Sequence, residues 1–255
     1  MKLYIYPNLT EDRYIEKVKK AIDILKRKGH ECVLNKEDSL TLYGEEPFGN
    51  LTIDDCDLVM SLGGDGTFLR GNIEAVNHDK PICGINCGNL GFLCAYQLKD
   101  IENMDLNQLK ETEVTMLEME YDGKNFSILN DAVIGKDYFG GTIELEYEAG
   151  DQSGRFRGDG LIVCTATGST SYNYSAGGEI FNDEDRCIGI TPICAHNRSS
   201  KPLLVDEKES VRVRLLNPKY SATIYADGIE VGPMNEIFIR SGKKKTKILK
   251  QTEEG

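Results

Sequence analysis

An apolar run that stops abruptly at a glycine-rich turn limits the folds open to this chain. The run covers residues 56–62, and a Gly-Gly-Asp-Gly turn follows it at residues 63–66. A continuously apolar segment of this length is typical of a strand that is buried on both faces of a parallel sheet. Residues 67–78 then have a helical pattern, and residues 81–86 form another apolar run. Strand, turn, helix and strand in this order predict an α/β unit with a mainly parallel sheet.

The segments before this unit extend the same pattern. Residues 2–6 predict a strand, and Thr10 is expected to cap a helix that runs to Lys28, with Gly29 as its stop. Residues 31–34 predict a second strand. The first part of the chain is therefore expected to be an α/β domain with a Rossmann-like parallel sheet.

The pattern changes in the second part of the chain. A short helix is expected at residues 100–110. From Glu113 onward apolar and polar residues alternate, with Asp122 and Gly123 as a hairpin signal. Alternation of this kind predicts strands with one buried and one exposed face, and hence an all-β, sandwich-like C-terminal domain.

These patterns divide the chain into two predicted domains. The α/β domain is placed at residues 1–98, and the β-rich domain at residues 99–235. The last strand, within residues 236–255, is free to return to the first domain.

The amino-acid composition limits the classes of partner that this chain is expected to bind. The chain has 255 residues, of which 42 are acidic and 30 basic, so its net charge is −12. Nucleic acids are bound by clustered Lys and Arg, so this balance argues against a nucleic-acid partner but not against a small anion at a locally positive site. The apolar runs are too short for a membrane span, and the N-terminus turns polar too early for a signal peptide. With eight cysteines and no C-x-x-C pair, we expect a cytoplasmic protein with reduced thiols.

The glycine-rich turn suits a phosphate ligand. It is expected at the carboxyl edge of the sheet, where glycines and the following helix N-terminus let a phosphate approach the backbone. A carboxylate repels phosphate unless it binds a cation or meets a hydroxyl, and both arrangements belong to phosphoryl transfer. Asp65 is therefore a candidate catalytic residue, while an Asp that caps the helix in a tight turn is an equally open interpretation. The sequence has neither a Walker-type phosphate loop nor a G-x-G-x-x-G fingerprint.

Three more segments join apolar runs to polar residues. Residues 84–93 predict a strand and a glycine-rich loop, and Asn130 and Asp131 directly follow apolar residues. A second Gly-Asp-Gly turn, at residues 158–160, precedes an apolar run and a hydroxyl-rich segment. The hydroxyl groups of that segment belong to Thr165, Thr167, Ser169, Thr170, Ser171, Tyr172 and Ser175. Such a density indicates a site for a polar heterocycle and a sugar, with an ordinary turn or an exposed Ser/Thr loop as the alternatives.

The order of these segments is similar to that of the NAD kinase family. The matching motifs are GGDGT at residues 63–67, NCGNLGFL at 86–93, LND at 129–131, DGLIVCTATGSTSYNYSAGG at 159–178 and TPICAH at 191–196. GGDG alone is shared with lipid kinases and phosphofructokinases, whereas the segment at 159–178 is highly specific. The chain therefore resembles NAD kinases over nearly all of its length after the first helix.

The resemblance implies an α/β domain and a β-sandwich-like domain, with NAD bound between them and across subunits. It implies phosphoryl transfer from ATP or polyphosphate to the 2′-hydroxyl of the adenosine ribose, with Mg²⁺ or another divalent cation, in a homodimer or homotetramer. Asp65 matches the family's catalytic acid. The NAD-binding residues that the resemblance implies are Asp65, Gly66, Phe92, Asn130, Asp131, Arg157, Asp159, Thr170, Ser171, Tyr172 and Ser175.

Departures from the family pattern leave some properties open. Asp131 stands where many members have Glu, Ala166 and Ala195 replace prolines, Ser171 replaces Ala, and Lys201 replaces Arg. None of these removes a functional group, so activity is expected, while the phosphate donor and the choice between NAD and NADH stay open. Two alternatives remain. A GGDG-type lipid kinase would leave the hydroxyl-rich segment unexplained, and a non-catalytic dinucleotide sensor would have no need of Asp65.

Overall fold

The structure is a computed structural model, and it describes residues 1–45, 51–88, 91–138, 140–196, 200–217 and 219–251. The chain divides into two compact units. Unit 1 comprises residues 1–113 and the chain from Thr246 onward, and unit 2 comprises Val114–Lys245. Among the described residues, no helix has both the length and the apolar character that are needed to cross a membrane.

Unit 1 alternates strands and helices. Its elements in chain order are β1 (Lys2–Pro7), α1 (Asp12–Arg27), β2 (Glu31–Val33), α2 (Lys36–Tyr43), β3 (Leu58–Gly63), α3 (Asp65–Asn77), β4 (Ile82–Asn86) and β5 (Tyr96–Gln97). Short 3₁₀ helices cover Ile53–Asp55, Leu98–Asn103 and Leu106–Gln108. The strands form a parallel sheet in the order β2-β1-β3-β4-β5. The predicted α/β class of this part of the chain is confirmed.

The core of unit 1 holds the strand ends that carry the candidate turn. β3 and β4 are buried along their whole length, as their continuous apolar runs predict. Helix α1 buries one stripe that includes Val18, Ile22 and Leu25, and this stripe belongs to the same hydrophobic cluster as the strand residues Met60 and Ile85. Burial of this stripe keeps the carboxyl ends of β3 and β4 in a fixed place within the unit.

Two local predictions for unit 1 are wrong. Glu11, and not Thr10, is the N-cap of α1, because the Thr10 hydroxyl donates to Asn8 Oδ1 at 2.8 Å instead. Residues 100–110 do not form one helix. Met104 has an extended backbone and a buried side chain, so it separates two 3₁₀ helices.

Helix α2 was not predicted, because its eight residues have little apolar periodicity. Its ends nevertheless have ordinary signals. Asn35 caps the first turn by accepting a hydrogen bond from the Asp38 N–H at 2.8 Å. Gly44 ends the helix with a φ of 72°, in the left-handed region that glycine adopts without steric cost.

Unit 2 is built almost entirely from strands. In chain order the elements are β6 (Lys110–Tyr121), β7 (Lys124–Ile128), β8 (Asp131–Lys136), β9 (Ile143–Ala149), β10 (Gln152–Gly158), β11 (Gly160–Cys164), α4 (Ala166–Ser169), α5 (Tyr172–Ser175), β12 (Cys187–Ile193), β13 (Leu203–Asp206), β14 (Ser210–Leu215), β15 (Ala222–Ala226), β16 (Ile229–Pro233) and β17 (Glu236–Lys250). A 3₁₀ helix covers Asp183–Asp185. Asp122 and Gly123 have φ values of 50° and 70° between β6 and β7, so the predicted hairpin is confirmed.

The strands of unit 2 form two antiparallel layers around one core. One sheet has the order β13-β12-β11-β8-β15-β16, and the other has β10-β9-β14 beside the first half of β17. One hydrophobic cluster combines Ile134 and Val163 of the first sheet with Leu145 and Val213 of the second. Two antiparallel layers that share a core make a sandwich-like unit, which confirms the predicted class.

Two long strands carry the chain between the units. β6 begins in unit 1, and β17 ends there, where Ile248 pairs with Ile82 of β4 in parallel. The predicted boundaries after residues 98 and 235 lie earlier in the chain than these crossings. Because β6 and β17 each continue from one unit into the other, the sequence pattern does not change where the chain crosses. The division into functional domains at residues 98 and 235 stays a prediction.

Candidate active site

Asp65 is the first residue of α3, at the carboxyl end of β3. The N-cap of this helix is Gly64, so Asp65 does not occupy the capping position. Its carboxylate instead accepts two backbone hydrogen bonds, from the Phe92 N–H at 3.0 Å and from the Leu93 N–H at 3.2 Å. The loop that follows β4 therefore fixes the orientation of the Asp65 carboxylate.

Gly91 makes this arrangement possible. A Cβ at position 91 would overlap Asp65 Oδ1 and would lie 2.9 Å from Asn86 Nδ2, so only glycine lets the loop approach the carboxylate this closely. The Phe92 side chain, by contrast, is 76% exposed. Residues 89 and 90 of the same motif lie outside the described residues.

The loop after β4 is held from its other side by polar contacts. Lys17 Nζ donates to the Cys87 carbonyl at 2.7 Å, and the Cys87 N–H donates to the Gly63 carbonyl at 3.0 Å. Asn86 Oδ1 accepts from the Gly88 N–H at 2.8 Å. The ends of β3 and β4 thus share one hydrogen-bonded loop cluster, and Lys17 brings a positive charge to it.

In unit 2, Asp131 is the first residue of β8 and Asn130 directly precedes it, and both are buried, with exposed fractions of 6% and 8%. Asn130 Oδ1 has no hydrogen-bond partner among the described residues. Burial and the nearby Asp227 carboxyl raise the pKa of Asp131 to about 7 from its ordinary 3.8. A buried acceptor without a donor is costly, so this segment is suited to a ligand that brings one.

Asp159 and Arg157 lie on either side of Gly158, at the end of β10. Asp159 forms an ion pair with Lys136, whose Nζ lies 2.6 Å from Asp159 Oδ1. Arg157 is largely exposed and lies 3.3 Å from a Glu144 carboxylate oxygen. The acid of the second Gly-Asp-Gly turn therefore has a cationic partner, whereas Asp65 of the first turn forms no ion pair with the residues that the structure describes.

The hydroxyl-rich segment separates into an inner and an outer set. Thr165 Oγ1 donates to the Leu129 carbonyl at 2.6 Å, and Ser169 Oγ donates to the Ala166 carbonyl at 2.7 Å, so both inner hydroxyls support the backbone. The outer set is exposed and consists of Thr170, Ser171, Tyr172 and Ser175. The predicted NAD-binding hydroxyls thus belong to side chains that the fold leaves accessible.

Comparison with known proteins gives the family. The family model of the ATP-NAD kinase N-terminal domain matches residues 8–114, and the family model of the ATP-NAD kinase C-terminal domain matches residues 129–251. An NAD kinase of Chloroherpeton thalassium is 30% identical over 263 residues, which cover 98% of this chain and 92% of that protein. The chain belongs to the ATP-NAD kinase family.

Other relatives agree with this assignment. An NAD kinase of Syntrophotalea carbinolica is 33% identical over 209 residues, which cover 76% of this chain and 73% of that protein. Two crystal structures share the fold with a TM-score of 0.77 each: an Archaeoglobus fulgidus NAD kinase in complex with ATP, and yeast NADH kinase in complex with NADH. The A. fulgidus enzyme is 24% identical, and the match covers 99% of this chain and 95% of that enzyme's chain. The yeast enzyme is 23% identical, and the match covers 100% of this chain and 84% of that enzyme's chain.

Family membership confirms the resemblance seen in the sequence and gives the reaction. The chain is a transferase that phosphorylates NAD to NADP. Two of the predicted site residues in unit 2, Asp159 and Asp131, act electrostatically on a third, Tyr172. Burial raises the pKa of the Tyr172 hydroxyl most, and the charges of Cys194, Asp159 and Asp131 raise it further, so both carboxyl groups lie within electrostatic range of Tyr172.

Sequence reasoning missed two residues, Asp227 and Lys136, that contact the predicted site residues. Asp227 accepts hydrogen bonds from the backbone of the Asn130 segment, and Lys136 pairs with Asp159. Asp227 is followed by Gly228 in the sequence, and this pair is a hairpin signal. A hairpin explains the pair fully, so nothing in the sequence indicated the contact of the Asp227 carboxylate with the Asn130 segment. Lys136 carries no local signal at all.

Proposed function

We propose that Asp65 is the catalytic base that accepts the proton of the NAD 2′-hydroxyl during phosphoryl transfer. The observation that carries this proposal is the Asp65 carboxylate at the carboxyl end of β3, held by the Phe92 and Leu93 N–H groups. A carboxylate oxygen has two acceptor positions, so each oxygen keeps one for the ribose hydroxyl. Fixed orientation of a base lowers the entropy that the reaction must lose in its transition state.

The proton moves late in this mechanism. A ribose hydroxyl is a poor nucleophile at neutral pH, and phosphoryl transfer proceeds through a loose transition state in which the attacking bond is little formed. Asp65 orients the hydroxyl toward the phosphorus and takes its proton as the new oxygen–phosphorus bond forms and the bond to the leaving group breaks. Gly66, next to Asp65, adds no side chain beside the reacting groups.

The NAD-binding residues offer chemistry that suits a dinucleotide. Asn130 Oδ1 supplies a buried acceptor, and Asp131 a carboxyl that titrates near neutral pH. Arg157 suits an anionic phosphate, and the exposed Phe92 and Tyr172 rings offer apolar faces. The remaining binding residues of the proposal are Asp159, Thr170, Ser171 and Ser175.

ATP is the proposed donor, with polyphosphate as the alternative, and Mg²⁺ the proposed cation. Within the described part of the chain, no group of three or more His, Cys, Asp or Glu side chains could hold a metal ion. Mg²⁺ is commonly bound by substrate phosphates with one or two carboxylates, so Asp65 together with the donor phosphates fits that ion. When bound, Mg²⁺ offsets negative charge on the transferred group.

We further propose a homodimer or homotetramer in the cytoplasm. Strands β13, β16 and β10 lie at sheet edges in unit 2, and exposed edges favour pairing with another chain. All eight cysteines are free thiols, which suits a reducing compartment.

Incubation with NAD, ATP and Mg²⁺, with NADP read by an NADP-specific dehydrogenase, tests the role of Asp65. Asp65→Asn is expected to lose about 10²- to 10⁴-fold in turnover while it still binds NAD, because a general base supplies about that factor. Asp12→Asn is the matched control, since Asp12 is likewise the first residue of a helix and is exposed. An Asp65→Asn enzyme with most of its turnover would exclude Asp65 as the base. Wild-type protein that binds NAD but makes no NADP from ATP or polyphosphate would support the sensor alternative.

A further inference from the structure

Asp227 lies in the turn between β15 and β16 and contacts a segment far away in the sequence. Its carboxylate accepts hydrogen bonds from three consecutive backbone N–H groups: Leu129 at 2.8 Å, Asn130 at 2.7 Å and Asp131 at 3.3 Å. The Asp227 N–H donates to the Asp131 carbonyl at 3.0 Å. Four hydrogen bonds therefore attach the turn to the start of β8.

The same segment is held from its other side by Thr165. The Thr165 hydroxyl donates to the Leu129 carbonyl at 2.6 Å, and the Thr165 N–H donates to the Asn130 carbonyl at 2.9 Å. The Asp227 carboxylate thus accepts from the three N–H groups of the segment, while Thr165 donates to the carbonyls of Leu129 and Asn130. A segment with its backbone satisfied on both sides keeps the Asn130 and Asp131 side chains in fixed directions.

We propose that Asp227 is a positioning residue for NAD, whose carboxylate holds the Leu129–Asn130–Asp131 backbone so that Asn130 and Asp131 meet the adenosine half of the dinucleotide. This proposal rests on the proposed function, in which Asn130 and Asp131 bind NAD. Asn130 Oδ1, which has no hydrogen-bond partner in the described part of the chain, is the atom that benefits most, because one buried acceptor must be aimed at one ligand donor.

Asp227 also controls the charge of its neighbour. The titratable groups that face Asp131 are Asp227, the Cys164 thiol and the Tyr172 hydroxyl. Burial raises the pKa of Asp227 to about 6, while its three N–H partners act to lower it. The negative charge of Asp227 adds to burial in raising the pKa of Asp131 to about 7. Removal of that charge lowers the pKa of Asp131.

The test compares Asp227→Asn with Asp122→Asn. Both aspartates precede a glycine in a hairpin turn and have nearly equal φ values, 49° and 50°, but Asp122 is exposed. We expect Asp227→Asn to raise KM for NAD and the calorimetric Kd for NAD about tenfold, because buried N–H groups lose a charged acceptor. We expect kcat at saturating NAD to change much less, and the pH midpoint of KM to fall, because the Asp227 charge no longer raises the pKa of Asp131. Asp122→Asn is expected to match the wild type in all of these.

The outcomes separate this proposal from the proposed function. Wild-type protein without NADP synthesis would refute the proposed function, and the calorimetric Kd of the same variants would still decide the role of Asp227. A wild-type Kd and pH midpoint in Asp227→Asn would overturn the proposal, as would a variant that is only less stable to urea. If Asp227→Asn does not fold, Asp227→Ser is measured in the same way, since Ser also removes the charge and keeps an acceptor.

Discussion

Asp65, Asp159 and Asp131 have the same carboxyl group, but their surroundings differ. Asp65 accepts two backbone hydrogen bonds, and Asp159 pairs with the Lys136 ammonium group. Asp131 is buried beside Asp227, and its pKa rises to about 7. The chemistry that each carboxyl offers is set by its partners and not by its type. The charge of Asp131 therefore changes in the pH range in which an enzyme works.

Asp131→Asn is expected to change how stability depends on pH. The pKa of Asp131 is about 7 in the folded chain, against an ordinary 3.8, so the folded state holds a proton that the unfolded state releases. Its stabilising contribution is complete below about pH 4 and is lost as the pH rises through about 7. Between about pH 5 and about pH 8, the wild type should lose on the order of 2 kcal/mol more than the variant. Urea unfolding at both pH values measures this, and equal losses would contradict it.

Tyr172→Ala is expected to weaken NAD binding more than it slows saturated turnover. Tyr172 is 45% exposed and lies near Asp131 and Asp159, so its ring is available to the adenosine half. Loss of one aromatic contact should raise KM for NAD about tenfold, with a much smaller effect on kcat. Tyr174→Ala is the control, because Tyr174 lies on the same short helix and is 62% exposed. A wild-type KM with a collapsed kcat would refute a binding role.

At the scale of the elements, the second Gly-Asp-Gly turn is a feature of strand packing. Gly160 at the start of β11 lies opposite Gly135 of β8. A Cβ at position 160 would overlap the Ile134 carbonyl oxygen, whereas a Cβ at position 135 would lie 3.9 Å from the Tyr225 ring. Gly160 therefore lets β11 and β8 approach closely at the point where Asp159 leaves the sheet.

This asymmetry predicts opposite behaviour for two facing glycines. Gly160→Ala is expected to destabilise the fold by about 1–3 kcal/mol, because a backbone carbonyl cannot move aside without shifting a buried strand. Gly135→Ala is expected to change stability by less than about 1 kcal/mol, since its new methyl group meets only ordinary contact distances. Urea unfolding midpoints of the two variants compare them directly. Similar midpoints would mean that close packing at position 160 is not the reason for the glycine.

At the scale of the whole molecule, charge covers one face of unit 2. Ion pairs link neighbouring strands across this face, from Arg155–Glu144 through Arg212–Glu148 and Arg212–Glu236 to Arg240–Glu118. Exposed pairs of this kind add little stability each. Their effect is to make this face mostly polar around the exposed Phe238 ring, and the sheet edges are candidate places for self-association.

We expect the chain to be a homo-oligomer, most simply a tetramer built from dimers. The net charge of −12 opposes association at low salt, so the oligomer should be more stable at physiological ionic strength, where such charges are screened. Light scattering on purified protein at micromolar concentration, with and without added salt, measures the mass. A fully active monomer of 28.4 kDa would refute this prediction and would mean that one chain builds the whole site.

The sequence by itself determined the parts of this protein that depend on neighbouring residues. The apolar run before Asp65, the helix after it and the hydroxyl-rich segment are local patterns, and the order of the motifs identified the family. The alternation of apolar and polar residues likewise predicted the β-rich unit, because successive side chains of a strand point to opposite faces of the sheet.

Only the tertiary structure decided which partners those residues have. Asp227 meets the backbone of residues 129–131 across a separation of 96–98 residues, because β15 lies beside β8 in the sheet. Lys136 meets Asp159 for a similar reason, since β8 also lies beside β11. Strand order is a property of the folded sheet, and no local pattern in the sequence encodes which strands become neighbours. The hydrogen bonds that hold the candidate site and the raised pKa of Asp131 therefore appear only when the chain is folded.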